Sequence, residues 1–399
     1  MSGGTRTAGL PDICSLVTDG THDSPKLQSS GIPFIKGKHI SSGRIDFENC
    51  DFIAEEDHAR CIKRVKPQVD DVLFANIGSV GDVARVTEER EFSIKNVALF
   101  RSDPSKVDPT YFYYLVVSPS FLGVFLNARS GAAQPFVSLE AFRSHRFPLN
   151  PDKVQQHRIG AILSAYDDLI ENNRRRMVLL EEAARQIYRE WFVRLRFPGH
   201  EHTRITNGVP VGWERKTLGA LCEEVRESVK PDTLEPDTPY IGLEHMPRRS
   251  ISLSEWGTAE QVISSKHRFR EGEILFGKIR PYFHKVGIAF LDGVASSDAI
   301  VIRPLNTKLH GVVLMTVASD PFVALTAQTM REGSKMPRAD WKQMQQYVVP
   351  LPPDGLLSSF ESAIQSIVEQ LKTLAFANQK LRAARDLLLP GLMSGEIAV

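Results

Sequence analysis

The stretch VQQHRIGAILSAYDDLIENNRRRMVLLEEAARQIYREWFVR, from Val154 to Arg194, contains no proline and one glycine, and it decides the fold. Positions that suit one buried face recur in steps of three and four, at Ile159, Ile162, Tyr166, Leu169, Asn173, Met177, Leu180, Ala184, Ile187 and Trp191. This spacing is typical of a heptad seam, with a four-residue insertion at the polar Asn173. It predicts a coiled-coil helix about 60 Å long.

A second stretch of the same kind begins after Pro350–Asp354. Its seam positions are Phe360, Ile364, Ile367, Leu371, Leu374, Asn378 and Leu381. Asn378 lies 205 positions after Asn173, so both predicted helices carry a polar residue at the same place. We expect Pro198-Gly199 to end the first helix and Pro390-Gly391 to end or kink the second.

The remainder of the chain is also duplicated. GIPFIKGKHI from Gly31 matches DTPYIGLEHM from Asp237, DDVLFANI from Asp70 matches GEILFGKI from Gly272, and GAAQPFVSLEAFRSHRFPL from Gly131 matches GSKMPRADWKQMQQYVVPL from Gly333. The offsets, 206, 202 and 202, are nearly constant, and a period near 200 residues is that of a domain and not of a solenoid unit. Short β-branched and aromatic runs predict strands, and the Asp-Pro start at Asp108 predicts one or two helices. The predicted fold is α+β, with two mixed domains in tandem joined by two long helices.

Composition excludes several classes of protein. The 399 residues are 42% hydrophobic and 24% charged, which is ordinary for a globular protein, and the formal charge of +1 gives no overall signature of nucleic-acid binding. The four cysteines lack metal-ligand spacing and are expected to be buried free thiols. Because no apolar run of about 18 residues occurs, we expect a cytoplasmic location.

Catalytic motifs are missing from the sequence. We find no GxxxxGK[ST] loop, no GxGxxG turn and no HExxH pair, so nucleotide, dinucleotide and zinc chemistry are not supported. Asp167 and Asp168 lie among charged residues of the predicted helix, where pairing on a solvated face explains them. A fused methyltransferase or nuclease would need an NPPF-type motif or a carboxylate-lysine cluster, and neither is present.

Local clusters of basic, aromatic and hydroxyl side chains nominate a DNA-binding surface. Such groups suit contacts to phosphates and base edges. They are Lys36, Lys38, His39, Arg129, Ser130 and Gln134 in the first copy, and Lys278, Arg280, Tyr282, His284, Lys285, Arg331, Ser334, Lys335 and Arg338 in the second. His39 recurs as His245, which fits either a turn hydrogen bond or a DNA-facing position. A coiled-coil scaffold that only recruits proteins is the alternative, but it would leave these clusters unexplained.

The chain resembles the specificity subunits of Type I restriction-modification systems from about Leu10 to Ile397. The resemblance is carried by DDVLFANIGSVGDVA, RSGAAQPFVSLEAFRSHRFPL, QQHRIGAILSAYDDLIENNRR, REWFV, GVPVGWERKTLG and LRAARDLLLPGLMSGEI. It implies target-recognition domains at residues 1–150 and 201–352, each for one half of a split, asymmetric DNA site. It also implies conserved helical regions at 151–200 and 353–399 that pair antiparallel with pseudo-two-fold symmetry.

The resemblance further implies partners and an absence of catalysis in this chain. Two modification subunits, which methylate adenine, and translocating restriction subunits are the expected partners. S-adenosylmethionine, ATP and magnesium are expected in those subunits, and no cofactor or metal in this one. The residues expected to form the partner-binding helices are Tyr166, Asn173, Met177, Trp191, Leu374, Asn378 and Leu381.

Overall fold

The computed structural model describes residues 6–41, 43–127, 136–328 and 337–399. The chain forms two compact units: the first is Met1–Leu169 with Leu381–Val399, and the second is Ile170–Lys380. Each unit includes part of the first long helix, Lys153–Tyr188, and part of the second long helix, Asp354–Ser394. The domain boundaries expected after residues 150, 200 and 352 stay predictions.

The first unit is a mixed α+β body. Its strands are Arg6–Gly9, Cys14–Asp19, Ile32–Lys36, Ile40–Ser41, Arg44–Ile45, Asp51–Ile53, Val72–Phe74, Val83–Arg85, Ser93–Lys95, Ala98–Ser102 and Arg146–Leu149. Its shorter helices are Leu10–Ile13, Gly37–His39 (a 3₁₀ turn), Glu55–Cys61, Pro109–Val117, Pro119–Asn127 and Leu139–Ser144. Asp108 caps the helix Pro109–Val117, because its carboxylate accepts from the N–H groups of Thr110 and Tyr111, both at 2.9 Å. The predicted helix start at Asp108 is therefore confirmed.

The second unit has the same kinds of element. Its strands are Ile205–Thr206, Val209–Pro210, Glu214–Thr217, Cys222–Val225, Ser228–Val229, Pro239–Ile241, Ser252–Leu253, Gly257–Thr258, Lys266–Phe269, Ile274–Gly277, Val286–Ala289, Gly293–Ala295, Ala299–Pro304 and Val348–Leu351. Its α-helices are His310–Val317, Asp320–Gln328 and Trp341–Met344, and its 3₁₀ turns are His200–His202, Leu218–Ala220, Pro231–Thr233, Leu243–His245, Ala259–Gln261, Pro281–Phe283 and Thr307–Leu309. A π-helical turn, Arg189–Val193, continues the first long helix.

The internal repeat extends to strand order. In the first unit, four antiparallel strands lie in the order Cys14–Asp19, Ala98–Ser102, Val72–Phe74, Val83–Arg85, and in the second unit the matching order is Cys222–Val225, Ala299–Pro304, Ile274–Gly277, Val286–Ala289. A second sheet in each unit contains one parallel pair, Ile32–Lys36 with Ser93–Lys95 and Pro239–Ile241 with Gly293–Ala295. The predicted tandem repeat of two mixed domains is confirmed.

Within the second unit the two long helices run antiparallel. Asn173 donates through Nδ2 to Oδ1 of Asn378 at 2.9 Å, while the ring of Phe360 packs on Phe192, 4.8 Å between centroids. Residue numbers therefore fall along one helix as they rise along the other. Tyr188 also packs on Phe360, and such aromatic pairs add about 0.5–1.5 kcal/mol beyond buried area. The predicted antiparallel pairing of the long helices is confirmed here.

The predicted seam of the first long helix is wrong at two positions. Ile162 is 36% exposed and Leu169 is 51% exposed, whereas Leu163 and Ile170 are buried. Because an α-helix has 3.6 residues per turn, adjacent apolar residues fit the spacing equally well, and packing against the body of the domain selects one of them. With Leu163 and Ile170 in place, steps of four and three alternate from Ile159 onward, so no insertion at Asn173 is needed.

Pro390 does not end the second long helix. The helix continues through Pro390 to Ser394, and the buried side chains of Leu389, Leu392 and Met393 join the core of the first unit. Proline removes one helical hydrogen bond, and burial of these three apolar side chains offsets that loss. Of the two outcomes expected at Pro390-Gly391, the end of the helix is wrong and the kink stays a prediction, whereas the first long helix ends before Pro198 as expected.

Candidate nucleic-acid interface

Three loops converge at one end of the sheets of the first unit, and we call this arrangement the first loop junction. They are the 3₁₀ turn Gly37–His39, the loop after strand Val72–Phe74, and the chain at Val137. The Val137 N–H donates to the carbonyl oxygen of Asn76 at 2.9 Å, and Asn76 Nδ2 donates to the carbonyl oxygen of Val137 at 3.1 Å. A Cβ atom on Gly37 would lie 3.2 Å from Ser79 Oγ, so the turn lies directly against the loop.

The second unit has the same junction of loops. The Ala339 N–H donates to the carbonyl oxygen of Lys278 at 2.8 Å, which ties the loop after strand Ile274–Gly277 to the segment at Ala339. The ammonium group of Lys285 donates to the carbonyl oxygen of Leu243 in the turn. The structure therefore brings together basic residues that the sequence places about 50 positions apart, Lys278 to Lys285 and Arg338.

The repeated histidine has a structural explanation. His39 Nδ1 accepts the N–H of Lys36 at 3.0 Å, and His245 Nδ1 accepts the N–H of Gly242 at the same distance. The His39 side chain is 4% exposed, and burial is the main cause of its lowered pKa. Of the two interpretations left open by the sequence, the turn hydrogen bond is the one observed. The DNA contact expected of His39 stays a prediction.

Two lysines of the first junction share one carboxylate. Lys36 Nζ lies 2.9 Å and Lys38 Nζ 3.4 Å from Oδ2 of Asp51. Burial acts to raise the pKa of the Asp51 carboxyl, but the hydrogen bond from Lys36 and the charges of both lysines outweigh it, and the pKa is lowered. Asp51 is therefore ionised at neutral pH, and a phosphate group would compete with it for the lysines.

The second junction is more basic. Lys278 donates to the carbonyl oxygen of Ser297 at 3.1 Å, and burial is the main cause of its lowered pKa. Arg338 lies 3.3 Å from Asp298, whereas Arg280 and Tyr282 project into solvent. The loop of the first unit between Ala75 and Asp82 has no basic residue, so the two junctions differ in charge although they match in architecture.

The loop that carries Arg280 has a fixed and unusual backbone. Arg280 (φ 49°) and His284 (φ 53°) both adopt left-handed conformations, which are uncommon for residues other than glycine. The Arg280 N–H donates to the carbonyl oxygen of Pro337 at 2.9 Å, and buried His284 lies with Nε2 2.8 Å from the carbonyl oxygen of Ala318. These contacts hold the loop in place, and the DNA contact expected of His284 stays a prediction. A residue other than glycine in a left-handed conformation costs about 1–3 kcal/mol. The surrounding hydrogen bonds offset that cost.

Some residues that the sequence nominates for DNA binding lie outside the described part of the chain. The residues outside the described part are Arg129, Ser130, Gln134, Arg331, Ser334 and Lys335.

One exposed cation was not nominated from the sequence. Arg248 lies with its guanidinium carbon 4.1 Å from the centroid of the Phe283 ring. The Arg248-Arg249 doublet directly after the repeated histidine turn is the sequence signal that points to it.

Comparison with known proteins agrees with this architecture. Residues 7–182 match the family model described as Type I restriction modification DNA specificity domain. The MjaIX specificity subunit of Methanocaldococcus jannaschii is 24% identical over an alignment 307 positions long, which covers 72% of this chain and 69% of that protein. The EcoDI specificity subunit of Escherichia coli is 26% identical over 147 residues, 36% of this chain and 32% of that one. This chain is therefore similar to the specificity subunits of Type I restriction-modification systems, through the matched domain at residues 7–182 and along most of its length.

A solved specificity subunit has the same fold. The S subunit of a Type I restriction-modification system from M. genitalium superposes with a TM-score of 0.57 at 14% identity, covering 98% of this chain and 96% of the other. The role of this family is recognition of DNA sequence, and its members are generally non-catalytic. Within residues 6–41, 43–127, 136–328 and 337–399, no three His, Cys, Asp or Glu side chains lie together as metal ligands.

Most residues expected on the partner-binding helices pack internally. Met177, Leu374 and Asn378 are buried, and Tyr166, Asn173, Trp191 and Leu381 are partly buried. Met177 and Leu374 therefore belong to the core of the second unit, and the assignment of these helices to partner binding stays a prediction. The most exposed large apolar side chains of these helices are Val178 (66%), Leu179 (70%) and Leu387 (80%). A seam search misses them because it selects the opposite face of the helix.

The remaining buried groups serve packing. All four cysteines are free and buried, and burial raises the pKa of the Cys222 thiol to about 12, so this sulfur stays protonated and unreactive at neutral pH.

Of the helices in the described residues, no single one is long and apolar enough to cross a membrane. Two pairs of consecutive helices, each bent at a short break, together have the length and composition of a membrane span. They are Pro109–Val117 with Pro119–Asn127, and Thr307–Val317 with Asp320–Gln328.

Proposed function

We propose that this chain, as a specificity subunit, recognises a bipartite, asymmetric DNA site, with one loop junction contacting each half. The observation that carries the proposal is the junction itself, which recurs in both units with the same backbone contacts and different side chains. The second junction presents Lys278, Arg280 and Tyr282 where the first has Asn76, Gly78 and Val80. Because the two loop junctions share their backbone contacts but differ in these side chains, we expect them to bind two different half-sites.

The rest of the proposal concerns assembly. The subunit would recruit two adenine-methylating modification subunits and then restriction subunits, and would act in the cytoplasm. S-adenosylmethionine, ATP and magnesium would be bound by those partners, which fits the lack of nucleotide and metal motifs in this sequence. The exposed Val178 and Leu179 of the first long helix are the residues of this region best placed to contact another protein.

Methylome sequencing of the host with and without this chain tests the proposal. We expect one split motif to lose adenine methylation when the chain is deleted and to regain it on complementation. Insertion of four residues, about one helical turn, into both long helices should change the spacer of the motif and leave its two half-sites unchanged. Unchanged methylation on deletion would refute the proposal and favour a scaffold that does not recognise DNA sequence.

A further inference from the structure

One aromatic ring in the second unit holds two arginine side chains. The guanidinium carbon of Arg248 lies 4.1 Å from the centroid of the Phe283 ring, and that of Arg280 lies 5.8 Å from the same centroid. Both arginines are exposed, and Phe283 is partly buried. A guanidinium within about 6 Å of a ring face is attracted by the negative face of the ring. The ring therefore holds two positive charges near each other.

Neither of these two charges has a counter-ion in the part of the chain that the structure describes. Among the described residues, no carboxylate lies within 4.0 Å of either guanidinium, although the neighbouring Arg249 pairs with Asp320 at 2.8 Å. Lys285 adds to the positive field: burial is the main cause of its lowered pKa, and the charge of Arg248 contributes next. Like charges repel, so an anion placed between them would be stabilised by both.

The backbone fixes the geometry before any ligand arrives. Arg280 begins the 3₁₀ turn Pro281–Phe283 in a left-handed conformation and donates its N–H to Pro337. On the other side, the Arg249 N–H donates to the carbonyl oxygen of His284 at 2.9 Å, which joins the segment carrying Arg248 to the same loop. Both cations therefore project from one braced structure, and little conformational entropy is lost when they bind a ligand.

We propose that Arg248, Arg280 and Phe283 form a binding site for one phosphodiester group of the DNA backbone. Guanidinium groups match phosphate oxygens in charge and in hydrogen-bond geometry. Both side chains are held over a ring at the protein surface, whereas an arginine that reads guanine extends its fork into the groove. The site fixes the position of the duplex on the second domain and carries no base preference. The first domain has Gly78 at the position of Arg280, so this contact is made at one half-site only.

This inference rests on the proposed DNA-binding function, and salt dependence separates the two. The full chain, assembled with its modification subunits, is titrated with the duplex found by methylome sequencing and with a random duplex, from about 50 to about 200 mM salt. The variants are Arg248→Gln, Arg280→Asn and the double variant. Asparagine is chosen at Arg280 because it tolerates a left-handed backbone. Arg215→Gln is the matched control, since Arg215 is exposed on the strand Glu214–Thr217 and donates to the carbonyl oxygen of Asn207.

Loss of one phosphate contact lowers the slope of log K against log salt by about 0.9. We expect the double variant to lose about that much and no more, because both arginines hold the same phosphate. Affinity for the specific and the random duplex should fall by the same factor, so their ratio is unchanged. The Arg215 control should retain the wild-type slope. Thermal unfolding midpoints equal to that of the wild type will show that the variants are folded.

Two results would overturn the inference and leave the proposed function intact. One is an unchanged salt slope in the double variant while the wild type prefers its site. The other is a loss of discrimination between the two duplexes without a change in slope, which would make Arg280 a base-reading residue. If the wild type itself binds both duplexes equally at every salt concentration, the proposed function fails and the inference fails with it.

Discussion

Replacing either of the paired asparagines of the long helices by leucine should destabilise the protein, whereas replacing both should not. Asn378 is 4% exposed and its Oδ1 accepts from Asn173 at 2.9 Å. Asn378→Leu leaves the Asn173 amide without its partner, and Asn173→Leu leaves a buried carbonyl without its donor. An unsatisfied buried polar group costs about 1–3 kcal/mol, whereas replacing both partners is nearly neutral. The expected coupling between the two positions is therefore about 2 kcal/mol or more.

Tryptophan fluorescence measures this effect in the relevant part of the molecule. All four tryptophans, Trp191, Trp213, Trp256 and Trp341, belong to the unit Ile170–Lys380, which also contains both asparagines. For a unit of this size, 1 kcal/mol shifts the unfolding midpoint by about 2–4 °C. Each single variant should melt about 2–12 °C below the wild type, and the double variant close to it or above it.

The neighbouring Asn172 provides a control in the same helix. Its side chain is exposed, so Asn172→Leu should leave the midpoint within about 1–2 °C of the wild type, as for most surface changes. The reasoning is refuted if Asn378→Leu melts with the wild type. It is refuted equally if the effect of the double variant equals the sum of the single effects to within about 0.5 kcal/mol, because independent sites are additive to that level.

Three further substitutions have defined outcomes. Glu181, 5% exposed, accepts from the hydroxyl groups of Ser250 and Ser252, both at 2.6 Å, so Glu181→Ala should lower the stability of the second unit by about 1–3 kcal/mol in urea unfolding followed by tryptophan fluorescence. Gly43→Ala should lower stability by about 1–3 kcal/mol in thermal unfolding followed by circular dichroism, since φ is +79° and a Cβ atom would lie 2.6 Å from the hydroxyl of Tyr113. Burial raises the pKa of Glu361, so its ionisation opposes folding; Glu361→Gln should raise the melting temperature at neutral pH, with a gain that disappears as pH falls below about 4.3.

Each of these predictions can fail in a recognisable way. A Glu181→Ala variant that unfolds with the wild type would mean that the serine hydroxyls bind water equally well. A stabilising Gly43→Ala would mean that the loop relaxes to negative φ. A gain for Glu361→Gln that is the same at pH 4 and pH 7 would show that removal of charge is not its cause, because the penalty is absent when the carboxyl is protonated in both states.

The histidine turn illustrates how far the sequence could lead. The pair His39 and His245 is visible as a repeat, and repetition alone indicates a shared role. Whether the ring faces DNA or its own backbone depends on which side of the turn is covered. In both domains the ring accepts a backbone N–H three residues earlier, a local hydrogen bond that is compatible with the spacing but not required by it.

The charged residues of the interface were the least predictable. Lysines and arginines have long flexible side chains, and a linear cluster does not show which members pair with a carboxylate. Lys36 and Lys38 share Asp51, which lies 13 positions beyond Lys38, and Arg338 meets Asp298. Arg248 and Arg280 lie 32 positions apart in sequence and converge on Phe283 only after the sheet has formed. No spacing rule connects them.

The sequence by itself determined the architecture. The nearly constant offset between the copies, the two long proline-poor stretches and the recurring Asn173 and Asn378 were sufficient for two mixed domains and two long helices, because periodicity and repetition can be read directly from a chain. The antiparallel pairing of the helices came only from the family resemblance. The tertiary structure decided which of two adjacent apolar residues faces the core, as at Leu163 and Ile170, and which cations remain unpaired at the loop junctions. Those choices depend on atoms brought together by folding from distant parts of the chain, so they follow from packing and long-range charge pairing and not from any local pattern.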